Sequence, residues 1–236
     1  MVALALWRCL AGAGLALGTV PPVWWLVTRM KRRGVATAYT RKVFHFAIFS
    51  VAAAARLAGG TAAVVGLGGV VVLVVLVALV RGDRSPLFGA LAREKDRPHA
   101  GRLVWVPMLA TAVGGLLSEW WWGPYAAVGY LVGGWGDALA EPVGTRWGAH
   151  PYRVPGLFGI RAHRTVEGSL AVLGASVLAV LVWAALGGAW CGADTVLAAL
   201  AIGGVAVVVE AASPHGSDNL TLQVVSSGLA AALLSS

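Results

Sequence analysis

Four short stretches of this sequence gather side chains suited to handling phosphate. Arg41-Lys42-Val43-Phe44-His45 puts an imidazole one helical turn past a basic pair, on the face of Arg41. Gly136-Asp137-Ala138-Leu139-Ala140-Glu141-Pro142-Val143-Gly144 carries two carboxylates four residues apart, hence on one helix face. Like charges at that spacing repel, so a divalent cation or a basic partner belongs between them. Arg146 or another loop arginine is an alternative partner. The surrounding glycines, Gly136 and Gly144 among them, permit close backbone approach to a ligand.

The third stretch is Arg161-Ala162-His163-Arg164-Thr165-Val166-Glu167-Gly168-Ser169. Thr165 and Glu167 open a helix whose free N–H groups and dipole favour an anion. Thr165 is also an ordinary N-cap candidate, but capping leaves Arg161 and Arg164 unexplained; those two are placed to hold phosphate oxygens. The fourth runs from Glu210 to Thr221. Glu210 ends an apolar run with no basic residue in its own turn, and Asp218 and Asn219 can cap the helix that follows. No Walker A loop, GxSxG elbow, HExxH or CxxC is present.

The elements that must position these groups are membrane spans. Of 236 residues, 58% are hydrophobic and 12% charged, and the mean hydropathy is +0.79. Soluble domains carry about 25% charged residues, so the excess apolar surface must face lipid. Hydropathy predicts an all-α polytopic bundle of about eight spans, or seven without the first. They lie near 3–28, 43–58, 61–80, 103–118, 123–141, 169–190, 195–212 and 219–235. Segment 81–102 reads as a loop or surface helix. The chain is one integral membrane domain, 1–236, in which 1–40 form a peripheral span and basic loop. Cys9 and Cys191 give no metal or redox pattern and read as small packing hydrophobes. Pro21-Pro22 and Trp24-Trp25 stand where a secretory signal would need small residues for cleavage.

Sixteen of the eighteen basic residues fall between spans one and two, three and four, or five and six; only Arg8 and Arg56 lie on the other side. The positive-inside rule then puts the four stretches on the cytoplasmic face and both termini outside. The net charge of +8 reads as topology and attraction to anionic headgroups or phosphates, not as nucleic-acid binding. Glu119 and Asp194 lie outside and read as boundary residues. His99, His150 and His163 read as solvated loop histidines.

Taken in order, the four stretches resemble the motifs of the CTP-dependent lipid-alcohol kinases, the family of phytol kinase, dolichol kinase and the yeast-type diacylglycerol kinase. The matching elements are Arg41-Lys42-x-x-His45, Gly136-Asp137-x-x-Ala140-x-x-x-Gly144, Arg164-Thr165-x-Glu167-Gly168-Ser169-x-Ala171 and Asp218-Asn219-Leu220-Thr221, so the kinase-like core is 41–225. Arg164 stands where lysine is common, and Gln223 where proline often follows the last motif. The resemblance implies transfer of the terminal phosphate of CTP, or another nucleoside triphosphate, to a hydroxyl of a polyprenol, phytol or diacylglycerol, in or near the plasma membrane. Asp137, with Glu141, is then the expected Mg²⁺ site, and Glu167 a further ligand or a residue that orients one. Arg41, Lys42, Arg161 and Arg164 would clamp phosphates, with Thr165, Gly168 and Ser169 at the helix N-terminus. His45 or Asp137 would accept the alcohol proton, and Asp218 and Asn219 would close the nucleotide site. A phosphatidate cytidylyltransferase would use the same CTP and face, but its Asp- and Lys-rich C-terminal signature is missing. A transporter would carry ionisable groups near the bilayer midplane and repeated halves, and neither appears.

Overall fold

A computed structural model describes residues 2–94, 97–156, 162–187, 192–214 and 216–235. Arg161 and Cys191 lie outside the described residues. Nearly all of the rest is helix: α1 (Val2–Arg32), α2 (Thr37–Arg81), α3 (Pro86–Leu91), α4 (Ala100–Trp122), α5 (Ala126–Leu131), α6 (Asp137–Trp147), α7 (Val166–Gly187), α8 (Ala193–Ala212) and α9 (Asp218–Leu234). The chain is an all-α, polytopic membrane bundle. Among the described residues five helical stretches are long and apolar enough to cross a bilayer, and two of them span 48 residues each.

Both long stretches are hairpins. Gly60, at φ 73°, breaks α2 into limbs 37–59 and 61–81, a conformation that glycine adopts without steric cost. The chain reverses there, since Thr40 Oγ1 at one end donates to Ala90 O, beyond the other, at 2.6 Å. Gly123, at φ 49°, ends α4 in the same way. Tyr130 OH then donates back to Glu119 at 3.0 Å. Counting limbs, each of the eight hydropathy segments corresponds to one helical limb; the last, α9, has 17 residues.

Small residues set the packing. A Cβ on Gly12 would fall 1.9 Å from Ala63 O, and one on Gly66 1.9 Å from Cys9 O, so α1 lies backbone to backbone on the second limb of α2. A central cluster joins the first limb of α2, α5, α7, α8 and α9 through Phe49, Leu131, Val180, Ile202 and Leu222. Within segment 81–102, read as a loop or surface helix, only the short α3 departs from that reading. Ser85 caps it and Pro86 starts it, and its Leu87, Phe88, Ala90 and Leu91 are all buried. The connection between α6 and α7 holds a two-stranded antiparallel hairpin, β1 (Pro151–Val154) with β2 (Ala162–Thr165), in which Tyr152 faces Arg164. Hydropathy had no signal for it: four-residue polar strands leave no apolar alternation.

Candidate active site

The first limb of α2 lies against the start of α6. One wide π-helical turn over Val132–Gly136 precedes Asp137, a distortion frequent at functional sites. Its glycines make room for α2, since a Cβ on Gly134 would fall 2.3 Å from that of Phe49. Lys42 Nζ lies 2.6 Å from Asp137 Oδ2 and 3.7 Å from Glu141 Oε2. Of the partners left open between the two carboxylates, the structure therefore supplies a basic one. Arg41 pairs with the Oε2 of Glu141, and Arg93 with its Oε1 at 3.0 Å. His45 Nε2 sits 3.5 Å from Asp137 Oδ2 and 3.4 Å from Gly133 O, with its ring against Phe49 at 4.3 Å. Lys42 is only 4% exposed and Asp137 7%. Charges buried to that degree persist only when paired.

A second ion cluster joins the other two motifs. Arg164, on β2, pairs with Glu210 at the end of α8 and, at 2.9 Å, with Asp218 at the start of α9. Glu210, with no cation in its own turn, thus takes one from a distant strand. Asp218 Oδ1 accepts from the backbone N–H of Gly216 at 3.1 Å and of Asn219 at 3.0 Å. Asn219 donates to Thr111 Oγ1 of α4 at 2.9 Å. Gln223, buried one turn later, donates to Thr111 O at 3.3 Å. The position where the family often has proline therefore ties α9 to α4.

The third motif is closer to architecture than its sequence implies. Thr165 Oγ1 caps α7 by accepting from Gly168 N at 3.1 Å. A Cβ on Gly168 would meet Ala140 O at 2.9 Å, one on Gly144 would meet Thr165 Oγ1 at 2.8 Å, and one on Gly136 would meet Ser176 and Val172 at 3.3 Å. These glycines let α6 and α7 touch; ligand approach is not needed to explain them. The Glu167 carboxylate accepts from His150, 2.6 Å from its Nδ1, so His150 is partnered and not merely solvated. Ser169 Oγ bonds Tyr152 OH at 2.7 Å.

Asp137, His45, Lys42, Arg41, Asp218 and Asn219 all line one cavity of about 420 Å³, whose remaining walls are apolar but for Thr111, Gln223, Glu119 and Tyr130. Glu141, Thr165, Glu167, Gly168 and Ser169 do not line it. The first, second and fourth motifs thus share the polar end of a greasy cavity, and the third joins them through Arg164 and Asp218.

Among the described residues the charges of these two clusters balance. Arg41, Lys42, Arg93 and Arg164 oppose Asp137, Glu141, Glu210 and Asp218, four against four. A bound triphosphate would therefore need added positive charge. Mg²⁺ takes one or two carboxylates and fills its shell with phosphate oxygens and water. Asp137, on the cavity wall, fits that role. Glu141 has both oxygens against arginines, and Glu167 faces His150. Among the described residues no three His, Cys, Asp or Glu side chains form a ready-made metal group.

Three roles escape sequence reasoning. Arg93 lies in a loop between motifs, and Glu210, which opens the fourth stretch, had no visible partner. Glu119, read as a boundary residue, is buried with Arg56 Nε at 3.1 Å and Thr61 Oγ1 at 2.6 Å. The signal available for Glu119 was Arg56, one of the two basic residues that the hydropathy reading separates from the other sixteen.

The phytol kinase of Synechocystis sp. is 32% identical over 230 residues, covering 94% of this chain and 89% of that protein. No family model matches the chain, and no solved structure does.

Proposed function

The chain belongs to the lipid-alcohol kinase family, and from that premise we propose that it phosphorylates an isoprenoid alcohol such as phytol, using CTP and Mg²⁺. The observation that carries this reading is the shared cavity. Asp137, His45 and Lys42 stand at the charged end of a largely apolar space, where a lipid hydroxyl would meet charged groups while its tail stays out of water. In this proposal that end is the mouth and faces the cytoplasm, where the nucleotide is found, in keeping with the basic loops around it.

Phosphoryl transfer asks the protein mainly for positioning and charge. Mg²⁺, when bound, would neutralise the triphosphate and draw charge from the departing diphosphate. Asp137 would hold it, and Lys42, paired with Asp137, would turn toward phosphate oxygens. Arg41 and Arg164 would exchange part of their carboxylate contacts for phosphate. His45, beside Asp137 on the same wall, would accept the proton of the alcohol. Asn219 and Asp218, anchored to α4 and β2, would hold the nucleotide side of the mouth.

Purified protein with Mg²⁺, γ-labelled CTP and phytol tests this directly. Label in the lipid is the expected result. With phosphatidate in place of phytol, labelled pyrophosphate and unlabelled lipid would make the protein a cytidylyltransferase, and no transfer to any alcohol would remove the kinase reading.

A further inference from the structure

The cavity has a polar end stop as well as a polar mouth. Its walls run down α4 from Leu103 to Glu119 and include Tyr130. Asn219 Nδ2 donates to Pro107 O at 3.4 Å, which sets Pro107 level with the mouth. At the far end Glu119 has both oxygens engaged, Oε2 by Arg56 at 3.1 Å and Thr61 at 2.6 Å, and Oε1 by Tyr130 at 3.0 Å. Arg56 also donates to Gly123 O at 3.1 Å. A buried, satisfied ion pair is a poor neighbour for a hydrocarbon end and costly to open.

We propose that this groove holds the tail of a single-chain alcohol and that the Arg56–Glu119–Tyr130 network limits the tail's length. The inference rests on the lipid-alcohol reading above and narrows it. Pro107 to Glu119 is twelve helical steps, about 18 Å at ~1.5 Å each. An extended alkyl chain of ~1.5 Å tetrahedral bonds advances about 1.3 Å per carbon, so the groove takes about fourteen main-chain carbons. Phytol, slightly longer, fills it to the end stop; a long polyprenol must leave sideways between Val65 and Leu116, which rim the groove and are 46% and 58% exposed.

Gly68 gives the handle. It lines the groove, and a Cβ there would meet nothing within 4 Å. Gly68→Leu should fold normally and obstruct the groove midway. Turnover of hexadecanol should fall by roughly tenfold or more, while that of butanol, which at about 1.3 Å per carbon ends about 5 Å in and short of Gly68, stays within about twofold as the control for folding and nucleotide use. An unchanged ratio between the two alcohols overturns the proposal. A second readout needs no turnover, so it separates this inference from the kinase reading. Tetradecanol with a photoreactive diazirine at its far end should label the peptide holding Leu116 to Tyr130, in competition with unlabelled tetradecanol. Labelling confined to lipid-facing residues such as Leu73 or Leu197, or lost equally to excess phospholipid, overturns the groove assignment even if phytol is phosphorylated.

Discussion

Lys42 Nζ lies 2.6 Å from Asp137 Oδ2, within a pair almost closed to water. This contact pins the first limb of α2 to the start of α6 and unites two motifs that are far apart in the sequence. Asp137→Asn should reduce turnover by about a hundredfold or more, the scale for losing a centre of transition-state charge stabilisation. The variant should still insert in the membrane, with a lowered thermal midpoint because Lys42 loses its nearest partner, so turnover is compared at a temperature where both proteins are folded. Turnover within about twofold of wild type would remove Asp137 from the reaction centre.

Arg164 is held between two buried carboxylates. Removing one partner of a buried pair costs about 3–5 kcal/mol, so Arg164→Ala should lower the thermal midpoint sharply in detergent. Adding Glu210→Gln to that variant should recover part of the loss, because one unpaired charge disappears. An unaltered midpoint in Arg164→Ala would mean that the cluster does not form.

Two glycines of α7 make opposite predictions. Gly168→Ala sets a methyl group 2.9 Å from Ala140 O, and overpacking of that kind costs about 1–3 kcal/mol. Gly174→Ala meets nothing within 4 Å and should be neutral or stabilising by up to about 1 kcal/mol. Equal midpoints for the two variants would contradict the close contact of α6 and α7.

Arg153, exposed on β1, reports orientation. Arg153→Cys, with Cys9 and Cys191 replaced by Ser, should react with a membrane-impermeant maleimide in inverted vesicles and not in intact cells. The reverse pattern would place the candidate site on the outer side.

His45 and Asp137 part company in kinetics. His45→Gln should lower kcat by about 10²-fold, the scale of general base catalysis, with the nucleotide KM little changed. A raised KM at unchanged kcat would make His45 a binding group instead.

Hydropathy and spacing alone determine much of this protein. The apolar runs dictate eight helical limbs, because in lipid every backbone N–H and C=O must be satisfied within its own segment. Residues four apart must share a helix face, so the pairs Arg41 with His45 and Asp137 with Glu141 were legible before any coordinates. Which groups meet was not, since an ion pair depends on how helices cross and not on residue type. Only the tertiary structure sets Lys42 between the carboxylates, gives Glu210 its cation from Arg164, and turns Gly144 and Gly168 into packing glycines. It also carries Glu119 from an expected boundary into a buried network at the foot of the cavity. The reversals at Gly60 and Gly123 bring that network and the charged mouth to opposite ends of one groove.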